Sequence, residues 1–279
     1  MSESRDYPLG YSEQEARRLS DQGALLEGLT EDVLQRAGLA HGMRVLDIGC
    51  GVGDVSLLAA RIVGKGGSVL GIDRASSSVE TARRRVASLG VTNVRFAEAD
   101  VATFETDQNF DAIVGRLVLL YLPDPATVLR RLSRHLRPGG IVAFQEYDMS
   151  ELSQAPPAEL FMKTRRWILD AFTASGAALD MGTKLYTTFL QAGLPAPSMA
   201  AATSVACGPT ASGYESMVRV LRSLLPLIER RGLADVSEID IDTLAARLRD
   251  DAVANARVAF LPRLVGAWAQ LLENGAGRQ

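Results

Sequence analysis

Residues Val45–Ala60, "VLDIGCGVGDVSLLAA", decide the fold. A short apolar block passes through three glycines and continues as an apolar pattern of helical spacing. A glycine-rich turn between a buried strand and a helix lets backbone approach a ligand closely. The same alternation extends outward from this turn. "RVLDIG", "SVLGID", "VRFAEAD", "FDAIVGRLVL" and "IVAFQEY" read as buried strands. "DVSLLAARIVG", "SSVETARRRVASLG" and "DPATVLRRLSRHLRPGG" read as the helices between them. Strands alternating with helices of this length imply βαβ units and a parallel sheet.

Upstream, Ser12 and Glu15 have the spacing of a capping box. Leu19, Leu25, Leu26, Leu29, Val33 and Leu34 then recur as one helical face that ends near Gly38. Downstream of Ser150 the regularity breaks. "SQAPPAE" reads as a turn-rich linker, "LFMKTRRWILDAF" and "TKLYTTFLQAGL" as helices, and "SMAAATSVAC" as a strand. "GYESMVRVLRSLLPLIERRG" and "DIDTLAARLRDDAVANA" are amphipathic helices, and "RLVGAWAQL" reads as a final strand. The two helices within 212–256 are expected as an insertion between late strands, over the open end of the sheet. The expected organisation is an N-terminal helical flap (1–40), a core carrying the glycine turn (41–150), and a C-terminal part (151–279). That last part completes the sheet and supplies a helical lid at 150–180 and 212–256.

The chain has 279 residues, 47% hydrophobic and 23% charged, which suits a globular protein with a well-packed core. No run approaches the ~18 apolar residues of a membrane span. The opening "MSESRDYPLGYSEQEARR" lacks the apolar segment of a secretory signal. Two cysteines, Cys50 and Cys207, cannot build a disulfide framework, so a reducing cytoplasm is expected. A net charge of −3 disfavours nucleic acid as a partner. No membrane partner and no metal site are expected, and the apolar helices admit a homodimer.

The turn has the spacing Asp47-x-Gly49-x-Gly51-x-Gly53. A dinucleotide fingerprint would place glycine where Asp54 stands. A carboxylate at Asp47 suits a ligand with positive charge better than a pyrophosphate. Asp73 closes the second strand, where it can accept from ribose hydroxyls, and Asp100 ends the third, where it can accept from an exocyclic amine. Any one of these reads equally well as a turn or cap residue. Together they mark the carboxyl ends of successive strands, where open α/β sheets bind ligands.

In "VLDIGCGVGD", "GIDRA", "EADV", "FDAIVGRLVLLYLPDP" and "LRPGGIVAFQEYD" the sequence resembles the class I S-adenosylmethionine-dependent methyltransferases, small-molecule type, over residues 40–150. The resemblance implies a Rossmann-like, seven-stranded, mostly parallel α/β sheet with its last strand antiparallel and helices on both faces. It implies S-adenosyl-L-methionine as cofactor and S-adenosyl-L-homocysteine as product. Carried over, Asp47, Gly49, Gly51 and Gly53 would meet the amino acid portion, and Asp73 with Arg74 the ribose. Asp100 and Val101 would meet the adenine, and Gly115 and Arg116 would flank the methionine. Tyr11, with Tyr7, would fold over the cofactor as a flap; a plain hydrophobic anchor for the first helix is the alternative.

Methyl transfer is an in-line displacement that can run on alignment and water exclusion, with a base needed only when the acceptor must lose a proton early. The Asn/Asp-Pro-Pro-aromatic motif of exocyclic base methylation is absent after strand four, and two cysteines are too few for arsenite. A small, apolar or aromatic metabolite under the lid is therefore the expected acceptor, with O, N or C as the methylated atom. Phe161, Met162, Trp167, Phe172, Met217, Leu221 and Leu225 lie in the lid, where such residues are more often core than pocket. Tyr121, Glu146, Tyr147 and Asp148 are the polar candidates, with turn capping as their alternative. Alternation lets only one of Glu146 and Tyr147 address the cleft; Glu146 is the expected base, Tyr147 the second catalytic candidate. His41 and His135 read as surface residues, Arg83–Arg85 and Arg130–Arg131 as solvated helix faces, and Cys50 as a small apolar side chain. An NAD(P)-dependent oxidoreductase and a non-catalytic cofactor-binding protein remain as rival readings.

Overall fold

The structure, a computed structural model, describes residues 7–10 and 12–272; Tyr11 and its expected role as a flap lie outside the described residues. Helix α1 (Glu13–Arg36) starts where the Ser12 hydroxyl accepts the Glu15 N–H at 3.1 Å. Then follow β1 (Arg44–Ile48), α2 (Asp54–Val63), β2 (Ser68–Asp73), α3 (Ser76–Ser88) and β3 (Val94–Glu98). Next come β4 (Phe110–Arg116), α4 (Pro125–Leu132) and β5 (Leu136–Asp148). Apolar, β-branched runs form the strands, and stripes of helical spacing form the helices that cover them. Two boundaries differ from expectation. β4 stops at Arg116, and Leu119–Tyr121 forms a 3₁₀ turn rather than more strand, while β5 is longer than "IVAFQEY".

The second half contains β6 (Ser153–Ala155), α5 (Glu159–Ser175), α6 (Met181–Gln191), β7 (Ser198–Ala202) and β8 (Val205–Ala206). After these come α7 (Gly213–Arg231), α8 (Val236–Ile239), α9 (Ile241–Ala254), β9 (Val258–Phe260) and β10 (Arg263–Gln270). The main sheet has seven strands in the order β3-β2-β1-β4-β5-β10-β7, with β10 antiparallel to both neighbours. The Rossmann-like α/β sheet with helical insertions is thus present. "SQAPPAE" is not simply a linker, because Ser153–Ala155 pairs with β9 in a second, three-stranded sheet. "SMAAATSVAC" is two strands, one in each sheet. Three residues are too few for a strand to be visible in sequence, and the second stretch reads as one strand with nothing to mark where it divides.

Helices α1, α2 and α3 cover one face of the large sheet, and α4 and α6 the other. A third apolar cluster, built from α5, α7 and α9, sits over the carboxyl ends of the parallel strands. Phe161, Trp167 and Leu221 are buried in that cluster, and Met162 is exposed. Among the described residues no helix is long and apolar enough to cross a membrane.

Strands β4 and β5 meet where Gly115 lies opposite Phe144, whose ring is fully buried. A Cβ on Gly115 would stand 2.6 Å from Phe144 Cε1. Gly115→Ala is therefore expected to lower unfolding free energy by ~1–3 kcal/mol, the usual cost of overpacking. Adding Phe144→Leu should recover part of that loss, and urea unfolding of the three variants measures both. Equal stability of Gly115→Ala and wild type would remove this contact as a constraint.

Candidate functional site

A cavity of about 280 Å³ opens at the carboxyl ends of β1, β2, β4 and β5, beneath α1 and the α5/α7 cluster. Of the residues expected at a cofactor, Gly49, Gly51, Asp73, Arg74, Asp100, Val101 and Arg116 line it, as does Tyr147. Asp47, Gly53, Gly115 and Glu146 do not. The far end is apolar and receives Leu152, Ile168, Phe172, Met217 and Leu261. Phe172 and Met217 are thus the lid candidates that reach the cavity.

The glycine turn is fixed by what surrounds it. Gly49 has φ +63°, and a side chain there would run into Val118 of the loop after β4. The Asp73 carboxylate accepts the Gly51 N–H and the Ala75 N–H, each at 2.9 Å, so it braces the turn as well as facing the cavity. Gly53, at φ +90°, starts α2 and packs against Phe96; it shapes the turn from behind. Arg85 donates to the Val52 carbonyl at 2.5 Å and pairs with Asp54 at 2.8 Å. Arg131 donates to the carbonyls of Val101 and Ala102. These arginines, expected as solvated, instead clamp the two segments that line the cavity. Helix periodicity marks their face, and only the tertiary fold supplies the carbonyls they reach.

Asp47 corrects a further expectation. It is 1% exposed, lies behind the turn, and accepts from the Ser56 hydroxyl at 2.6 Å. Its other oxygen, Oδ1, has no hydrogen-bond partner. Burial pushes its pKa up to about 7, opposed by the Ser56 bond and the nearby Arg116. It therefore stands behind the turn and does not touch the cavity.

Glu146 also corrects the expectation. Its side chain is on the α6 face of β5, fully buried, and it accepts the backbone N–H groups of Val118 (3.0 Å), Leu119 (2.7 Å) and Leu120 (3.4 Å). It holds the loop after β4 and does not reach the cleft, so it is a positioning residue. Alternation along β5 turns Tyr147 to the α1 face and into the cavity. Asp148 caps the following turn through Ser150 and pairs with Arg263 at 2.6 Å, the capping alternative. Tyr121 lines the cavity. His41 is exposed, and His135 is half-buried, with Glu105 at 3.2 Å.

Helix α1 supplies a polar wall that the periodicity of its leucines hid. Glu15 and Arg18, both nearly fully buried, form a two-point ion pair at 2.7 and 2.8 Å. The same carboxylate accepts from Tyr7 (3.1 Å) and from Ser223 of α7 (2.9 Å). Ser12 caps the helix as expected, while the Glu15 side chain serves this cluster. The Tyr7 and Tyr121 rings meet edge to face, with centroids 5.1 Å apart. Arg116 donates to Thr30 of α1 at 2.9 Å. The signal available in the sequence was the i, i+3 spacing of Glu15 and Arg18 on the apolar face of α1.

A family profile described as a methyltransferase domain matches residues 39–193, just over half of the chain. Trans-aconitate 2-methyltransferase of Methylobacterium nodulans is 39% identical over 121 residues, 43% of this chain and 44% of that protein. Ubiquinone biosynthesis O-methyltransferase of Paracidovorax citrulli is 37% identical over 111 residues, 38% of this chain and 45% of that protein. The match thus spans less than half the length of each. The YcgJ protein of Bacillus subtilis superposes with a TM-score of 0.58 at 15% identity, over 88% of this chain and all of that one, a likeness of fold.

Burial pushes the Glu146 carboxyl from its ordinary 4.5 up to about 8, against the pull of three N–H donors. Between those values the folded protein keeps a proton that the unfolded chain releases, so stability falls as pH rises from about 4.5 to about 8. Asp47 adds a similar slope up to about 7. Glu146→Gln removes only the Glu146 part, so its thermal midpoint should fall less than wild type across that window. Glu146→Ala should cost ~1–3 kcal/mol for each donor left without an acceptor. Parallel pH curves for wild type and Glu146→Gln would contradict this titration.

Proposed function

We propose, from the premise that this chain belongs to the methyltransferase-domain family of class I S-adenosylmethionine-dependent enzymes, that it methylates a small, largely apolar molecule. The observation that carries the reading is the meeting of Asp73 and Asp100, from adjacent strand ends, with the Gly49–Gly51 backbone in a cavity whose other end is apolar. The residues present suit S-adenosyl-L-methionine. Asp73 offers acceptors toward a ribose diol, and Asp100 offers them toward an adenine amine. Arg74 and Val101 line the same end. Arg116, half-buried and bonded to Thr30, suits a carboxylate of the methionine part. The unpartnered oxygen of Asp47 behind the turn favours positive charge in front of it. Asp54 at the start of α2 is a poor neighbour for a pyrophosphate, which weighs against an oxidoreductase.

When bound, the cofactor supplies an electrophilic methyl group. The protein's own residues align the acceptor and exclude water. Phe172, Met217 and Leu261 give the acceptor an apolar seat, and Tyr147 and Tyr121 offer hydroxyls to its polar atom. Burial raises the pKa of both phenols, so each is a neutral donor near neutral pH. Catalysis then rests on proximity and desolvation rather than on a side-chain base. In this reading α1 roofs the site, residues 41–150 bind the cofactor, and residues 151–272 complete the sheet and the lid. The acceptor is a small molecule rather than nucleic acid, because the lid encloses the apolar end.

S-adenosyl-L-homocysteine should raise the thermal midpoint of the protein, because it binds the folded state alone. Asp73→Asn should weaken that binding roughly tenfold or more in calorimetric titration, from the loss of charge-assisted bonds worth ~1.5–3 kcal/mol. Since Asp73 also braces Gly51, a 2′,3′-dideoxy analogue separates the two effects. It should bind wild type more weakly than the parent does, and the variant equally well. A variant that keeps wild-type affinity would remove Asp73 from the site.

A further inference from the structure

The wall that α1 presents to the apolar end of the cavity has one buried charge with donors to spare. Arg18 is 6% exposed and lines the cavity. Its guanidinium has five N–H donors. Two of them go to Glu15, through Nε at 2.8 Å and Nη2 at 2.7 Å, and no other acceptor meets Arg18 among the described residues. Glu15 has nothing left to offer a ligand. Its two oxygens already take Arg18 twice, Tyr7 and Ser223, which fills the roughly four lone-pair sites of a carboxylate. The neighbouring Tyr121 and Tyr147 hydroxyls sit within electrostatic reach of Arg18. Arg18 is therefore the buried charge of this wall with donors left for a ligand, while the exposed Asp21 beside it is paired with Arg219.

We infer that the methyl acceptor carries an anionic or ionisable oxygen, of the carboxylate, phenol or enol class, and docks it on Arg18 between Tyr121 and Tyr147. This rests on the reading of the cavity as a methyl-transfer site. The donors that Glu15 does not take face the cavity, and an anionic oxygen placed there makes charge-assisted hydrogen bonds to them. An ammonium group at that position would meet the like charge of Arg18 instead. Arg18 is thus a specificity-determining residue, held in place by Glu15.

Three matched probes test the assignment: naphthoate, naphthol and naphthylmethylammonium, titrated by fluorescence quenching in the presence of S-adenosyl-L-homocysteine. Wild type should bind naphthoate or naphthol at least ~10-fold more tightly than the ammonium probe, the least that one hydrogen bond to a charged group supplies. Naphthoate alone binding tightly would assign the oxygen to a carboxylate, and naphthol binding as well would assign it to a phenol or enol. The paired variant Glu15→Gln/Arg18→Met removes both charges together, which avoids stranding either one. It should bring the preference close to unity while keeping affinity for S-adenosyl-L-homocysteine. Equal or tighter binding of the ammonium probe to wild type, failure of both oxygen probes to bind, or a preference that survives in the paired variant would each overturn the inference. The wild-type ranking stands without the variant should the variant not fold. Loss of S-adenosyl-L-homocysteine binding by wild type would strike the cofactor assignment instead, and the same titrations without it still read the oxygen preference.

Discussion

The Glu146 carboxyl, gathering the N–H groups of Val118, Leu119 and Leu120, is the contact on which the cavity's shape depends. A parallel strand that ends must leave its next backbone donors without ladder partners, and buried donors need acceptors. Here the neighbouring strand provides one carboxyl for three of them, and the chain leaving β4 folds into a 3₁₀ turn instead of running on. Leu117 takes up the left-handed φ of 57° that this reversal demands. The turn sets Val118 against Gly49, so the glycine loop and the β4 loop fix each other. Leu120 and Tyr121 reach the cavity wall as a consequence.

Helix α1 closes the site by touching both ends of it. At the cofactor end, Gly23 packs against the Asp54 carboxylate, and Thr30 takes the Arg116 guanidinium. At the acceptor end, Glu15 binds Ser223 of α7, and Asp21 pairs with Arg219 of the same helix. One amphipathic helix thus joins the sheet to the lid cluster through polar contacts, part-buried at Thr30–Arg116 and Glu15–Ser223 and exposed at Asp21–Arg219. Such contacts fix geometry more than they add stability, because each buried charge costs much of what its partner returns.

The strands, the parallel order and the positions of Asp73 and Asp100 were legible because each depends on local pattern: apolar runs, turn glycines and strand ends. Glu146 was placed on the correct strand but given the wrong face. Alternation restricts the choice to Glu146 or Tyr147, and only the packing of α6 against one face of β5 and α1 against the other decides between them. Asp47 has the spacing of a ligand contact, yet the turn folds over it. Arg85 and Arg131 look solvated on a helix wheel and are satisfied by carbonyls distant in sequence. In each case the side chain's type was readable and its partner was not, because partners are set by tertiary approach.

The distribution of charge along the cavity limits what the chemistry can be. Of the four carboxylates that line it, Asp73 and Asp100 stand at the strand ends where a cofactor would lie and already accept backbone N–H groups, Asp54 pairs with Arg85, and Asp21 pairs with Arg219. At the other end Glu15 is saturated, Glu146 is sequestered behind the β4 loop, and burial keeps Tyr7, Tyr121 and Tyr147 protonated. Among the described residues that line it, the one anionic group left there to serve as a base is Asp21, and Arg219 engages it. An acceptor that arrives already ionised, or that ionises against Arg18, needs none. The spare donors of Arg18 and the lack of an unpaired base are then two aspects of one design, in which the protein selects the oxygen, orients it and keeps water away.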